Sequence, residues 1–181
     1  MKKHMTQITV EGKEIRTREY LIWLGIKTRV LQNKAPAYMD CTISDNFMNF
    51  QYFAEWCQHQ VGWSEHKWQL DKDLLVDGNR EYHEDRCLFV PREINIALTA
   101  EKKPRSNGLP LGVVHTKEWN QYQARCNVYG VQEYLGAYRT PEEAHQAYVK
   151  RKNDYVQELA ETYKGRVRDE VYVKLRDFVA R

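Results

Sequence analysis

Between Gln69 and Asn79 the chain reads QLDKDLLVDGN, with two aspartates flanking Lys72 and a turn through Asp77, Gly78 and Asn79. Paired carboxylates are hard oxygen donors, the type that holds Mg²⁺ or Mn²⁺. A divalent cation so held neutralises the charge that builds on a phosphate and its leaving oxygen during phosphodiester hydrolysis. The plainer reading is a strand-end turn in which Asp71 and Asp73 bond with Lys72 and Arg86. A second stretch with chemical potential is QYQARCNV, Gln121 to Val128. Strict alternation puts Gln121, Gln123, Arg125 and Asn127 on one face and Tyr122, Ala124, Cys126 and Val128 on the other. The same alternation turns Gln132 and Tyr134 outwards on the next strand. Amides and a guanidinium in such a row can donate to and accept from base edges, and a ribbon of strands fits a major groove about 12 Å wide.

The elements that must position these groups follow from periodicity. WQLDKDLL and RCLFVP read as short strands around the acidic loop, and REINIALTA reads as a helix after them. Upstream, TREYLIWLGIKTRVLQN has helical spacing, with Thr17 as cap and Asn33 and Pro36 as stops. A second helix is expected from Ser44 or Asp45 to Gly62, burying Phe47, Phe50, Phe53, Ala54 and Cys57. Thr99 to Pro110, TAEKKPRSNGLP, carries two prolines and no apolar period, and so reads as a linker. Beyond it, LGVVHTKEW, QYQARCNV and VQEYLGAY make three strands. Thr140 then caps a helix with Pro141 in its first position, running to about Tyr163. GRVRDEVYVKLRDFVAR ends the chain as another helix, a candidate cover for the core or a homodimer contact. The fold class expected is α+β, divided as 1–98, a linker at 99–110, a three-stranded domain at 111–165 and a terminal helix at 166–181.

Composition narrows the function classes. Twelve Tyr and five Trp in 181 residues argue against disorder. No apolar run approaches the roughly 18 residues of a membrane span, and the N-terminus has no signal-peptide core, so a cytoplasmic protein without a membrane partner is expected. Cys41, Cys57, Cys87 and Cys126 are too scattered for a zinc knuckle and read as small core residues. Residues 101–181 hold 15 Lys and Arg against 11 Asp and Glu, a charge of +4, whereas residues 1–100 hold 13 against 14. That asymmetry points the second half towards a polyanion.

Gly112 to Tyr155 resembles the ethylene-response-factor (Apetala-two) type of DNA-binding domain, most tellingly in YLGAYRTPEEAHQAY. The resemblance implies a sheet laid in the major groove of double-stranded DNA. Its contacts would come from Thr116, Lys117 and Trp119, then Gln123, Arg125 and Asn127, then Gln132 and Tyr134. The paired arginines of the family's first strand are missing here, so base preference does not carry over. Gln69 to Asn95 resembles the HNH unit of phage homing-type endonucleases, and Tyr20 to Trp56 is similar to their leader. That likeness implies Asp71 and Asn95 as ligands of Mg²⁺ or Mn²⁺, with Asn79 bracing the loop or orienting the base. Lys72 stands where that family has its histidine base, and Arg86 where many members have Asn. An ammonium is a poor general base, which leaves His83 or Asp73 as the substitute. Two functions follow as expectations: a metal-dependent DNA endonuclease targeted by its sheet, or a DNA-binding regulator or host-protein-binding factor that keeps the nuclease fold without cleavage.

Overall fold

In the computed structural model, which describes residues 3–32, 38–99 and 108–180, helix and strand are mixed in an α+β order. Two units are distinguished, Met1–Pro91 and Arg92–Arg181. Most of the expected linker, residues 100–107, lies outside the described residues.

The first unit opens with a hairpin for which the sequence reading had no element. β1 (Gln7–Val10) pairs antiparallel with β2 (Lys13–Arg16). Its two-residue turn places Glu11 and Gly12 at φ +49° and +78°, the left-handed pair that a tight hairpin needs. α1 (Arg18–Gln32) follows over the expected span. Only Ile26 of its apolar stripe is fully buried, and Leu21 and Leu31 are exposed. Thr17 precedes it, but its hydroxyl donates to the Met5 carbonyl at 3.0 Å, tying the helix start to the N-terminal segment.

After β3 (Thr42–Ile43), the single helix expected from Ser44 to Gly62 is corrected to two, α2 (Asp45–Met48) and α3 (Phe50–Gln58). Asn49 interrupts them in an extended conformation, and its Oδ1 accepts the Gln51 and Tyr52 N–H groups at 2.9 and 3.4 Å. The short polar side chain competes with the helical backbone and starts a new helix. Phe47, Phe53, Ala54 and Cys57 are buried as their spacing requires. Phe50 is half-buried, with its ring against Tyr20 and Trp23. β4 (Gln69–Asp71) pairs antiparallel with β6 (Leu88–Val90), while β5 (Glu81–Tyr82) pairs parallel with β3. Phe89 of β6 meets Trp56 and Trp63 in the aromatic core of this unit.

The second unit begins with α4 (Arg92–Thr99). Its sheet is antiparallel in the order β7 (Val113–Thr116), β8 (Gln121–Val128), β9 (Val131–Tyr138). α5 (Pro141–Tyr163) packs on one face, burying Val113, Ala124 and Ala144 in a shared core. A capping box opens α5. The Thr140 hydroxyl accepts the Glu143 N–H and the Glu143 carboxylate accepts the Thr140 N–H, both at 3.2 Å, with Pro141 in the first turn. α6 (Asp169–Arg176) buries Val171 and Leu175, and the Gln157 amide of α5 donates to its terminal carbonyls.

Strand β9 contains a bulge. Arg125 faces Tyr134 and Ala124 faces Gly136, so Leu135 is the extra residue. Gly136 has φ +128°, a conformation that side chains rarely adopt. Leu135 packs against the core, and the insertion turns Ala137 to the outer face opposite Gln123 and Tyr138 to the core. All four cysteines are buried and unpaired by disulfides. Burial pushes the Cys57 thiol up, and the Cys87 thiol up to about 12, so neither is a ready nucleophile.

Candidate nucleic-acid interface and acidic loop

The acidic loop starts where β4 ends. Asp71 is 8% exposed, and its Oδ1 accepts the N–H groups of Asp73 at 3.0 Å and Leu74 at 2.6 Å. The turn keeps Asp73 close enough in the chain for its charge to act on Asp71. Burial first, then the Asp73 charge, pushes the Asp71 carboxyl above the ordinary aspartate range. Lys72 points inwards, 6% exposed, and its Nζ donates to the Asn79 carbonyl at 2.9 Å and to Asp73 Oδ2 at 3.3 Å. Asn79 is the hub of the loop. Its Nδ2 donates to the carbonyls of Lys72 and Glu81 at 2.6 and 2.7 Å, and its Oδ1 accepts from the Glu81 N–H and from Arg86 Nη1. Arg86 also pairs with Glu81 at 2.7 Å. Lys72 and Arg86 therefore belong to one strand-end network with the aspartates.

The donor chemistry of the Asp71–Asp73 pair fits Mg²⁺ or Mn²⁺ in the manner of sites that use one or two carboxylates and leave the rest to water and substrate phosphate. Among the described residues no three His, Cys, Asp or Glu groups converge as a metal cage. Asn95, the other expected ligand, lies half-buried on α4 in the second unit, where its carbonyl accepts the Thr99 hydroxyl at 2.6 Å. His83 follows β5 and lines an open polar cleft of about 450 Å³ with Ser44, Asp45, Asn46, Glu81 and Glu84. Neither Asp71, Asp73 nor Asn79 lines that cleft. The Nδ1 atom of His83 accepts the Asp85 N–H at 3.1 Å, leaving Nε2 as its second polar position. Glu84 is held by Ser44 and Asn46, whose hydrogen bonds outweigh partial burial and keep its carboxyl below the usual range.

The outer face of the β7–β9 sheet carries the second constellation. Registers align Val114 with Gln123 and Ala137, Thr116 with Gln121, Arg125 with Tyr134, and Asn127 with Gln132. Arg125 occupies the middle of this face. Its Nη2 donates to Gln123 Oε1 at 2.7 Å and its Nη1 to Gln132 Oε1 at 3.1 Å. Among the described residues no carboxylate pairs with it, unlike Arg151, which is bridged by Glu133 and Glu158. Tyr134 stands 61% exposed beside it. At the β7–β8 turn Trp119 is 63% exposed and Lys117 is exposed, while the Thr116 hydroxyl donates to the Gln121 carbonyl at 2.9 Å and closes the hairpin.

The structure thus gathers Gln123, Arg125, Asn127, Gln132 and Tyr134 on one surface, with Thr116, Lys117 and Trp119 at the sheet's end. Sequence reading missed Val114 and Ala137 on that surface. For Ala137 the glycine inside the β9 pattern was the available signal, since an isolated glycine in a strand marks a bulge; for Val114 it was alternation with Thr116 on β7. Comparison with family models, with curated proteins and with solved structures finds no match.

Proposed function

We propose that this chain binds double-stranded DNA through the outer face of its β7–β9 sheet. The carrying observation is Arg125, a central guanidinium steadied by two amide oxygens and paired with no carboxylate among the described residues. A cation so oriented and flanked by amides suits the acceptor edges of the major groove and the charge of the phosphates. The basic balance of residues 101–181 supports the same reading. Fluorescence anisotropy of the full chain with labelled duplex, across a salt series, tests it. Affinity should fall steeply with salt, and no binding at low salt sinks the proposal.

A second reading, metal-dependent cleavage of the bound DNA by an HNH-like first unit, is favoured by the Asp73 charge acting on the buried Asp71 carboxyl at the end of β4. A cation there would relieve two crowded carboxyls and supply the charge stabilisation that phosphodiester hydrolysis requires. Asp71 is held ready by two backbone N–H groups, and Asn79 and Lys72 fix the loop that carries it. Plasmid nicking with Mg²⁺ or Mn²⁺, with and without chelator, separates this reading from DNA binding without cleavage.

A further inference from the structure

Strand β7 covers only half of β8. Their register runs from Thr116–Gln121 to Val113–Ala124, and the last bond across this edge is from the Arg125 N–H to the Gly112 carbonyl at 2.7 Å. The period of two places the Asn127 backbone on the same edge, and among the described residues no strand pairs with it there. A cavity of about 200 Å³ opens at this point within the second unit. Arg125, Asn127 and Gln132 of the sheet, Tyr148 of α5, and Glu93 and Ile96 of α4 are among its lining residues. Gly112 lets the chain pass: a Cβ there would lie 2.1 Å from the Tyr148 ring.

We infer that this cavity takes a nucleobase. Its volume is below the roughly 300–1,000 Å³ of drug-sized pockets, which limits the occupant to a single small ring system. The β8 edge that no described strand pairs with, and the amides of Asn127 and Gln132 among the lining residues, carry donors and acceptors, the chemistry that a base edge complements. The tyrosine and isoleucine walls suit a flat, partly apolar ring. Three of the lining residues, Arg125, Asn127 and Gln132, also belong to the proposed DNA-binding face, so the inference rests on that reading for its first source: a base drawn out of the bound duplex. A free nucleoside presents the same chemistry from solution.

The test uses the full chain and duplexes carrying 2-aminopurine at successive positions, with equilibrium dialysis of adenosine and guanosine as a parallel arm. Ile96, a half-exposed lining residue, provides the variants: Ile96→Trp adds bulk to the cavity and Ile96→Ala leaves it open. Unstacking brightens 2-aminopurine. A severalfold rise at one position that Ile96→Trp abolishes and Ile96→Ala retains, with duplex affinity unchanged in both, supports an extrahelical base. No rise at any position, with nucleoside binding lost in Ile96→Trp, supports the free ligand. Duplex binding with neither signal, at nucleoside up to about 1 mM, overturns the cavity inference and leaves the sheet reading intact. If the wild-type chain binds no duplex, the sheet reading fails and the nucleoside arm alone decides.

Discussion

Lys72 and Asn79 clasp each other across the six residues of loop between them. The Lys72 ammonium donates to the Asn79 carbonyl at 2.9 Å, and the Asn79 amide donates back to the Lys72 carbonyl at 2.6 Å. Both residues are buried. The exchange turns a polar segment into a rigid support for Asp71. Asn79→Ala would leave the Lys72 and Glu81 carbonyls and the Glu81 N–H without their present partner. Unfolding in urea should show a loss of about 2–4 kcal/mol. A loss below about 0.5 kcal/mol would show that water replaces the amide and that the loop is not braced there.

Asp71 predicts a dependence on pH. Its folded carboxyl titrates above its unfolded value, so the folded state holds more protons between those two values. Stability from this group is therefore present at acid pH and is lost as pH rises from about 4 through the raised folded value. Asp71→Asn removes that loss, and its amide oxygen can still accept from Asp73 and Leu74. The variant should melt above wild type at neutral pH, with the gap closing towards pH 4. A cation that binds the pair would reverse the order, so the same melts with added Mn²⁺ report on the metal reading.

Cleavage, where it is found, should require a divalent metal and fall at least about a hundredfold in Asp71→Ala. His83 lines a separate cleft from Asp71, so His83→Ala tests whether a base outside the acidic loop takes part. A drop of about 10²–10⁴-fold with intact metal binding assigns it that role. Full-rate His83→Ala transfers the role to Asp73 or to metal-bound water.

Arg125 and Lys117 should separate base reading from charge. Arg125→Ala is expected to weaken duplex binding by about 1–3 kcal/mol and to relax preference at one base position. Lys117→Ala, at the exposed turn, should weaken all sequences alike and reduce the salt slope by about 1. Equal effects of the two variants on every sequence would remove the claim that this face reads bases.

Gly112 and Gly130 share the left-handed conformation, at φ +76° and +84°, but not their surroundings. A Cβ at Gly130 meets nothing within 4 Å, whereas at Gly112 it collides with Tyr148. Gly130→Ala should cost about 1–2 kcal/mol from conformation alone. Gly112→Ala should cost about 2–5 kcal/mol, because overpacking adds to the strain. Equal losses in chemical denaturation would mean that Tyr148 moves aside freely.

The bounds of β8, β9 and α5 were legible in the chain because their signals are local. Alternation over Gln121–Val128 and the Thr140–Pro141–Glu143 cap each act within a few residues of the backbone they shape. The polar row of Gln123, Arg125 and Asn127 followed from that alternation, as did the buried partners Ala124, Cys126 and Val128. What the sequence alone left open depends on partners distant along the chain. The bulge at Leu135 exists only in the register between β8 and β9, and the β1–β2 hairpin needs two exposed strands to find each other. The break at Asn49 was decided by a side chain that could cap or continue, and the N–H groups of Gln51 and Tyr52 settled it. Asp71, Lys72 and Asp73 announced a charged cluster. Only the fold turned Lys72 inwards to Asn79, set Asp71 opposite Leu88, and directed His83 into the cleft beside Glu84, because burial and hydrogen bonding at a strand end are set by whatever packs around it.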